Sequence, residues 1–290
     1  MNLKAIKEFF VEKTIYLCGL TSIALVLLIF IFLAKEGLAL FKSIRLTDFL
    51  FGQKWYPISE PARFGIFPLI LGSLYVTLGA TLISVPLGVA SAVYIAEIAS
   101  PKVKEILKTG IEILAAIPSV VIGFIGMTTL VPFVKSSFHL PTGLTAFSGS
   151  VMLAFMAMPT IVSIAEDALT AVPKKYKEAA LALGATRWQA IWRVVVRAAS
   201  SGIVAAIMLG IGRVIGETMA VMMITGNAAR IPHSLFQPVR TLTATIAAEL
   251  GETVQGSDHY HALFAIGIIL FIITFIINLI ADWAVHRKYK

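Results

Sequence analysis

The chain contains six apolar runs, each long enough to cross the hydrocarbon core of a lipid bilayer as an α-helix. They occupy residues 15–34, 68–96, 111–134, 147–165, 202–224 and 260–281. Hydrophobic residues make up 58% of the 290 positions and charged residues 14%, whereas soluble domains contain about 25% charged residues. We therefore expect an all-α membrane protein with six transmembrane helices and both termini on the same side of the bilayer.

Lysine and arginine are distributed unevenly between the two sets of segments that connect these runs. One side holds fifteen of them, including those in 166–201 and the C-terminal residues Arg287, Lys288 and Lys290, and the other side holds eight. Cytoplasmic loops carry the excess of basic residues, so both termini are predicted to be cytoplasmic. The basic residues behind the net charge of +8 are spread between the apolar runs and are not clustered in one stripe, as a nucleic-acid-binding surface would require. The predicted partner is therefore the lipid bilayer, and no nucleic acid is expected.

The fifth apolar run contains two charged residues, Arg213 and Glu217. A spacing of four places both on the same face of the predicted helix. An arginine near the middle of a bilayer costs about 2.5–3.5 kcal/mol on insertion scales, so Arg213 is expected to face a partner or a water-filled cavity. Gly210, Gly212 and Gly216 would let a neighbouring backbone approach it. A structural ion pair and a charged station on the path of a polar substrate both remain open.

The longest predicted cytoplasmic loop, 166–201, contains two short helical segments, 174–183 and 187–196, separated by Gly184. In the second segment four apolar residues recur at helical spacing and form one stripe: Trp188, Ile191, Trp192 and Val195. Such a stripe is typical of a helix that rests on lipid headgroups. It is equally typical of a helix that inserts into a groove on another protein.

The sequence Glu178-Ala179-Ala180 followed by Gly184 resembles the EAA loop of ABC-importer permease subunits. Val196-Arg197 stands where that family usually has leucine-proline. In the family this loop forms a coupling helix that docks into the cytoplasmic ATPase. The resemblance implies that the ATPase-coupling residues are Glu178, Ala179, Ala180, Gly184, Trp188 and Ile191.

Residues 64–285 are similar to the phosphate-transporter permeases in four pieces: 64–74, 116–123, the EAA loop and 212–220. Two further segments, 55–57 and 241–252, resemble the PstC type of these permeases more than the PstA type. The resemblance implies a type I ABC importer permease (MetI-like) fold. It also implies that inorganic phosphate is the substrate, with Arg213 and Glu217 on its pathway.

The partners implied by this resemblance are a second permease subunit of the PstA type, two cytoplasmic ATP-binding subunits of the PstB type and a soluble phosphate-binding protein of the PstS type. On the same basis, residues 1–67 are expected to form an N-terminal anchor helix and an external interfacial loop. Residues 68–285 are expected to form the ABC importer transmembrane domain, in which 166–201 is the coupling loop.

The sequence lacks the motifs of an active site. It contains no P-loop, so any ATP is expected to be hydrolysed by a separate subunit. Its five histidines do not match a metal-ligand pattern, and no nucleophile elbow is present. We therefore expect no catalytic residue, no metal and no cofactor in this chain. The alternatives to a phosphate ABC permease are a permease for another oxyanion and a secondary anion transporter in which Glu217 carries the coupled proton.

Overall fold

The computed structural model describes residues 3–286. Arg287, Lys288 and Lys290, which entered the topology prediction, lie outside the described residues. The first elements are α1 (Leu3–Ala39), α2 (Leu46–Phe51), β1 (Trp55–Tyr56), β2 (Arg63–Phe64), α3 (Phe67–Val93), α4 (Pro101–Ala116), α5 (Ser119–Ile125) and α6 (Val131–Ser137). They are followed by α7 (Ala146–Thr170), α8 (Lys174–Ala182), α9 (Arg187–Ala190), α10 (Val196–Ala198), α11 (Ser200–Gly216), α12 (Met219–Ile224), α13 (Leu242–Glu249) and α14 (Asp258–His286).

Within the described residues, five continuous helical segments are long and apolar enough to cross a bilayer: Lys7–Lys42, Phe67–Ile98, Ser119–Ser137, Ala146–Thr170 and Asp258–Ile280. The remaining crossing is broken. Helix α11 has 17 residues and is therefore about 26 Å long, slightly less than the hydrocarbon thickness. After a break, α12 continues along α7, where Thr225 lies against Gly149. The expected all-α membrane architecture is confirmed.

The third apolar run was predicted as one helix over 111–134, and this is wrong. The chain breaks at Ile117 and Pro118, between α4 and α5. Ile117 is extended, with ψ 126°, because the ring of a following proline disfavours the helical conformation. The third crossing therefore starts at Ser119, and residues 111–116 belong to α4, which packs against α7.

Helix α7 lies at the centre of the bundle, between α3 and α11. It contributes more buried residues than any other described helix, and its Ile161 is fully buried. Ile161 fills the space left by the missing side chain of Gly210 on α11, where a Cβ would overlap it. This close approach fixes the register between α7 and α11. Helices α1 and α14 pack together beside this bundle.

We call the end of the bundle formed by α2, β1, β2 and α13 the α13 end, and the end formed by α4, α8 and α9 the basic end. At the α13 end Trp55 is buried and donates its Nε1–H to Glu249 of α13, 3.1 Å away. Arg240 and His259 also contact the Glu249 carboxylate, at 2.5 and 2.8 Å. The Glu249 carboxylate thus connects Trp55, 194 residues away in sequence, to the segments that precede and follow α13.

Candidate functional site

The first candidate site lies at Arg213, near the middle of the crossing formed by α11 and α12. Its side chain is exposed in the isolated chain. Arg213 belongs to a stripe of five exposed residues that recur at helical spacing along α11: Ala205, Leu209, Gly212, Arg213 and Gly216. An arginine side chain is too costly to place against hydrocarbon. This stripe therefore faces another protein surface or a water-filled cavity.

The structure corrects the predicted placement of Glu217. Helix α11 ends at Gly216, and Glu217 is extended, with ψ 133°. Thr243 of α13 donates its hydroxyl to the Glu217 carbonyl at 2.8 Å, and the Glu217 carboxylate accepts the N–H of Ala220 at 3.2 Å. Arg213 and Glu217 therefore do not share a helix face, because α13 holds the chain out of helical geometry at this point.

Arg213 is anchored by a hydroxyl group. Its Nη1 donates to Thr160 Oγ1 on α7 at 3.2 Å. Among the side chains that the structure describes, no carboxylate forms an ion pair with the Arg213 guanidinium. The guanidinium has five N–H donors and a permanent charge, so most of its donors stay available to an anion. Of the three glycines around Arg213, only Gly210 has a close neighbour within the described chain, and that neighbour is the side chain of Ile161; Gly212 and Gly216 have open space around them.

The second candidate site is the surface formed by α8 and α9 at the basic end. The two predicted helical segments are confirmed. Gly184 separates them with φ +84°, a left-handed conformation that glycine adopts without steric cost. Thr186 and Gln189 then form a reciprocal capping box that starts α9. Glu178, Ala179 and Gly184 are exposed, and Ala180 is half-buried.

The predicted apolar stripe of the second segment is divided between two environments. Trp188 and Trp192 are 60% and 54% exposed, and their rings stack with centroids 6.1 Å apart. Ile191 and Val195 are 4% and 2% exposed and pack into the bundle. Ile191, one of the predicted coupling residues, therefore has little exposed surface of its own. The stripe covers about 100° of the helix surface, and its two edges meet different neighbours.

The chain turns sharply between this surface and the membrane. The segments Arg187–Ala198 and Ser200–Gly216 meet at 70°. Arg197, which stands where proline was expected, is exposed just before the turn. The turn at Ala199 is thus made without a proline, and the buried Ala199 and Ile203 continue the packing of Ile191 along α11.

A cluster of charges that the sequence did not reveal fixes α4 to the basic end of α7. Glu166 is 2% exposed, and its carboxylate contacts Lys104 at 2.5 Å and Lys108 at 2.9 Å. Thr170 also donates to it, at 2.8 Å. Hydrogen bonds from Lys108 to Glu166 and Asp167 raise the pKa of Lys108. The sequence feature that could have predicted this cluster is the pair Lys104 and Lys108, four residues apart, together with Glu166 and Asp167 at the end of an apolar run.

A second ion pair connects the candidate coupling surface to α3. Lys177 of α8 pairs with Glu97, which lies in the wide helical turn after α3. Both side chains are largely buried, at 26% and 12% exposure. Helix α8 is therefore held to the basic end of a membrane-crossing helix.

Comparison with known proteins identifies the class to which this fold and these two sites belong. Residues 84–288 match the family described as "Binding-protein-dependent transport system inner membrane component", and the chain belongs to this family. It is a membrane-embedded permease of the ABC importers, which decides against the alternative of a proton-coupled secondary transporter.

The particular relatives are phosphate-system permeases and one permease with a more general name. The chain is 39% identical over 273 residues to the probable ABC transporter permease protein YqgH of Bacillus subtilis, covering 93% of this chain and 88% of that one. It is 37% identical to the phosphate transport system permease protein PstC of Mesorhizobium japonicum, covering 83% and 78%. For PstC of Haemophilus influenzae the identity is 33%, covering 93% and 92%. The resemblance to the PstC type is confirmed.

Solved structures confirm the fold. A bacterial alginate ABC transporter in complex with an alginate pentasaccharide-bound periplasmic protein matches with TM-score 0.68 at 17% identity, covering 99% of this chain and 98% of that chain. The MetNI methionine ABC transporter matches with TM-score 0.61 at 20% identity, covering 79% and 99%. The expected type I importer permease fold is therefore present in this chain.

Proposed function

We propose that this chain is the permease subunit of an ATP-driven importer that moves inorganic phosphate across the cytoplasmic membrane into the cell. The observation that carries the proposal is Arg213, a permanent cation near mid-membrane that no described carboxylate neutralises. Phosphate must lose its hydration shell on the way, and the planar fork of a guanidinium matches its oxygens. A permease for neutral solutes has no use for this charge. The PstC relatives support phosphate as the anion.

The exposed stripe of α11 is covered, in this proposal, by a second permease subunit of the PstA type. The cavity between the two subunits then contains Arg213, which removes the cost of placing it against lipid. Glu217 lies at the break beside α11, and its negative charge weakens phosphate binding enough for release. Both residues remain assigned to the substrate pathway.

The basic end is cytoplasmic in this proposal, and so are both termini. Two ATP-binding subunits of the PstB type bind the assembly there, and the exposed surface of Glu178, Ala179, Gly184 and Trp188 enters a groove on one of them. The α13 end faces outward in this proposal, and a phosphate-binding protein of the PstS type delivers its ligand there. The alginate transporter, whose solved structure contains its periplasmic protein, supports this arrangement.

Closure of the ATP-binding subunits moves α8 and α9 together, because Gly184 and the Thr186 cap form a short connection. The Lys177–Glu97 pair passes this displacement to α3. The buried contacts of Ile191 pass it to α11. Helix α11 carries Arg213, so the cation changes the side of the membrane to which it is accessible.

The proposal is tested by measuring uptake of labelled phosphate into proteoliposomes that contain this chain with its PstA-type and PstB-type subunits. The PstS-type protein is supplied outside and ATP inside. The expected result is uptake that requires ATP and continues when a protonophore collapses the proton gradient. Uptake driven by a proton gradient without ATP contradicts the importer mechanism. ATP-dependent uptake of sulfate or molybdate, with none of phosphate, contradicts the choice of anion.

A further inference from the structure

The contact between Thr160 and Arg213 is set by the packing of α7 on α11. Thr160 lies near the middle of α7 and is half-buried. The next residue, Ile161, fills the notch at Gly210, one turn before Arg213 on α11. This packing leaves little freedom to slide one helix along the other. The 3.2 Å hydrogen bond from Arg213 to Thr160 is therefore built into the register of the bundle.

The hydroxyl of Thr160 is used differently from other hydroxyls in the membrane-crossing helices. Thr128, Thr129 and Thr274 each donate their O–H to the carbonyl four residues earlier in their own helix. Thr160 instead accepts an N–H from Arg213. Its own O–H proton has no acceptor in the part of the chain that the structure describes. A hydroxyl both donates and accepts, so this proton remains available to a ligand that binds at Arg213.

A threonine also holds Arg213 without cancelling its charge. A carboxylate at this position would fix the guanidinium equally well but would compete with an entering anion and repel it. The neutral oxygen of Thr160 occupies one N–H of Arg213 and leaves the remaining donors and the full charge in place. This arrangement suits a station that takes an anion and then releases it.

We propose that Thr160 is the second anion-contacting residue of the pathway, which anchors Arg213 through Oγ1 and donates its O–H to an oxygen of the same tetrahedral oxyanion. The proposal rests on the proposed function, since it requires that the anion passes Arg213. Its ligand class is an oxyanion with at least two oxygens in reach, one for the guanidinium and one for the hydroxyl. Phosphate satisfies this requirement, and chloride does not.

Two substitutions with opposite structural and chemical effects test the proposal. Thr160→Val keeps the shape of the side chain and removes the hydroxyl, whereas Thr160→Ser keeps the hydroxyl and removes a methyl group. We expect Thr160→Val to lower the phosphate imported per ATP hydrolysed about tenfold, as for one lost hydrogen bond to a charged group. Thr160→Ser is expected to stay within about twofold of the unchanged protein.

A purely structural role reverses this order, because valine then preserves packing better than serine. Equal uptake by Thr160→Val and the unchanged protein overturns the inference, as does a loss in Thr160→Ser equal to that in Thr160→Val. Arg213→Gln is measured in the same preparation. Normal uptake by Arg213→Gln refutes the assignment of Arg213 to the pathway. Loss in Arg213→Gln with normal uptake in Thr160→Val refutes only the role of Thr160.

Discussion

Trp188 and Ile191 lie three residues apart in one predicted stripe, but their truncation is expected to have different effects: loss of Trp188 weakens binding of a partner, and loss of Ile191 destabilises the fold. Trp188 is 60% exposed. A tryptophan side chain buries up to about 250 Å², so roughly 150 Å² is free to be covered by a partner. At about 25 cal/mol per Å² this area corresponds to about 4 kcal/mol, an upper limit because binding also costs side-chain entropy.

We therefore expect Trp188→Ala to weaken binding of the ATP-binding subunit by about 2–4 kcal/mol, which is roughly a 30- to 1,000-fold rise in Kd. Titration of labelled ATP-binding subunit onto detergent-solubilised permease pairs measures this change. The thermal unfolding midpoint of the permease is expected to stay within a few degrees of its original value, because an exposed side chain contributes little to the fold.

Ile191→Ala is the matched control, since Ile191 is 4% exposed and packs with Val195 and Ile203. Removing its buried methyl groups is expected to cost about 2–5 kcal/mol of folding free energy and to lower the unfolding midpoint clearly. The molecules that remain folded should bind the ATP-binding subunit normally. A normal midpoint with weakened binding in Ile191→Ala, together with normal binding in Trp188→Ala, would refute the division of the stripe.

Two further predictions concern the basic end. The double substitution Lys104→Gln and Lys108→Gln leaves the buried Glu166 carboxylate without a cation and is expected to destabilise the permease by about 3–5 kcal/mol. Glu166→Gln is expected to cost less, because both lysine side chains can then be hydrated. Equal unfolding midpoints for the two variants would contradict this prediction. Gly184→Ala places a residue with a Cβ in the left-handed conformation, which is expected to lower the free energy of unfolding by about 1–2 kcal/mol and to reduce ATP-dependent uptake. Unchanged uptake and an unchanged unfolding midpoint would show that this geometry is not required.

The membrane-crossing helices were predictable because hydrocarbon leaves an apolar segment few alternatives to a helix. The run at 147–165 became α7, and the run at 68–96 became α3 with its final turn. The two coupling segments were predictable for a different reason. Gly184 and the Thr186 cap are local signals, and they act within a few residues of their own position.

The break at Glu217 could not be read from the sequence around it. The run from 202 to 224 is apolar and continuous apart from its two charges, and helical propensity alone extends the helix through it. The break depends on Thr243, which lies 26 residues further along the chain and donates its hydroxyl to the Glu217 carbonyl. Thr160 was missed for the same reason, because its contact with Arg213 joins residues 53 positions apart.

We propose that the charge of Arg213 lies on the path of the anion, and the variant Arg213→Gln is the sharpest test of this placement. Arg213→Gln is assembled with the PstA-type and PstB-type subunits and assayed for ATP-dependent uptake of labelled phosphate. We expect uptake to be lost while the complex assembles and its basal ATPase activity persists. Retained uptake in Arg213→Gln would show that the anion does not need this charge. Failure of this variant to assemble would contradict the placement too, because Arg213 would then hold the structure together.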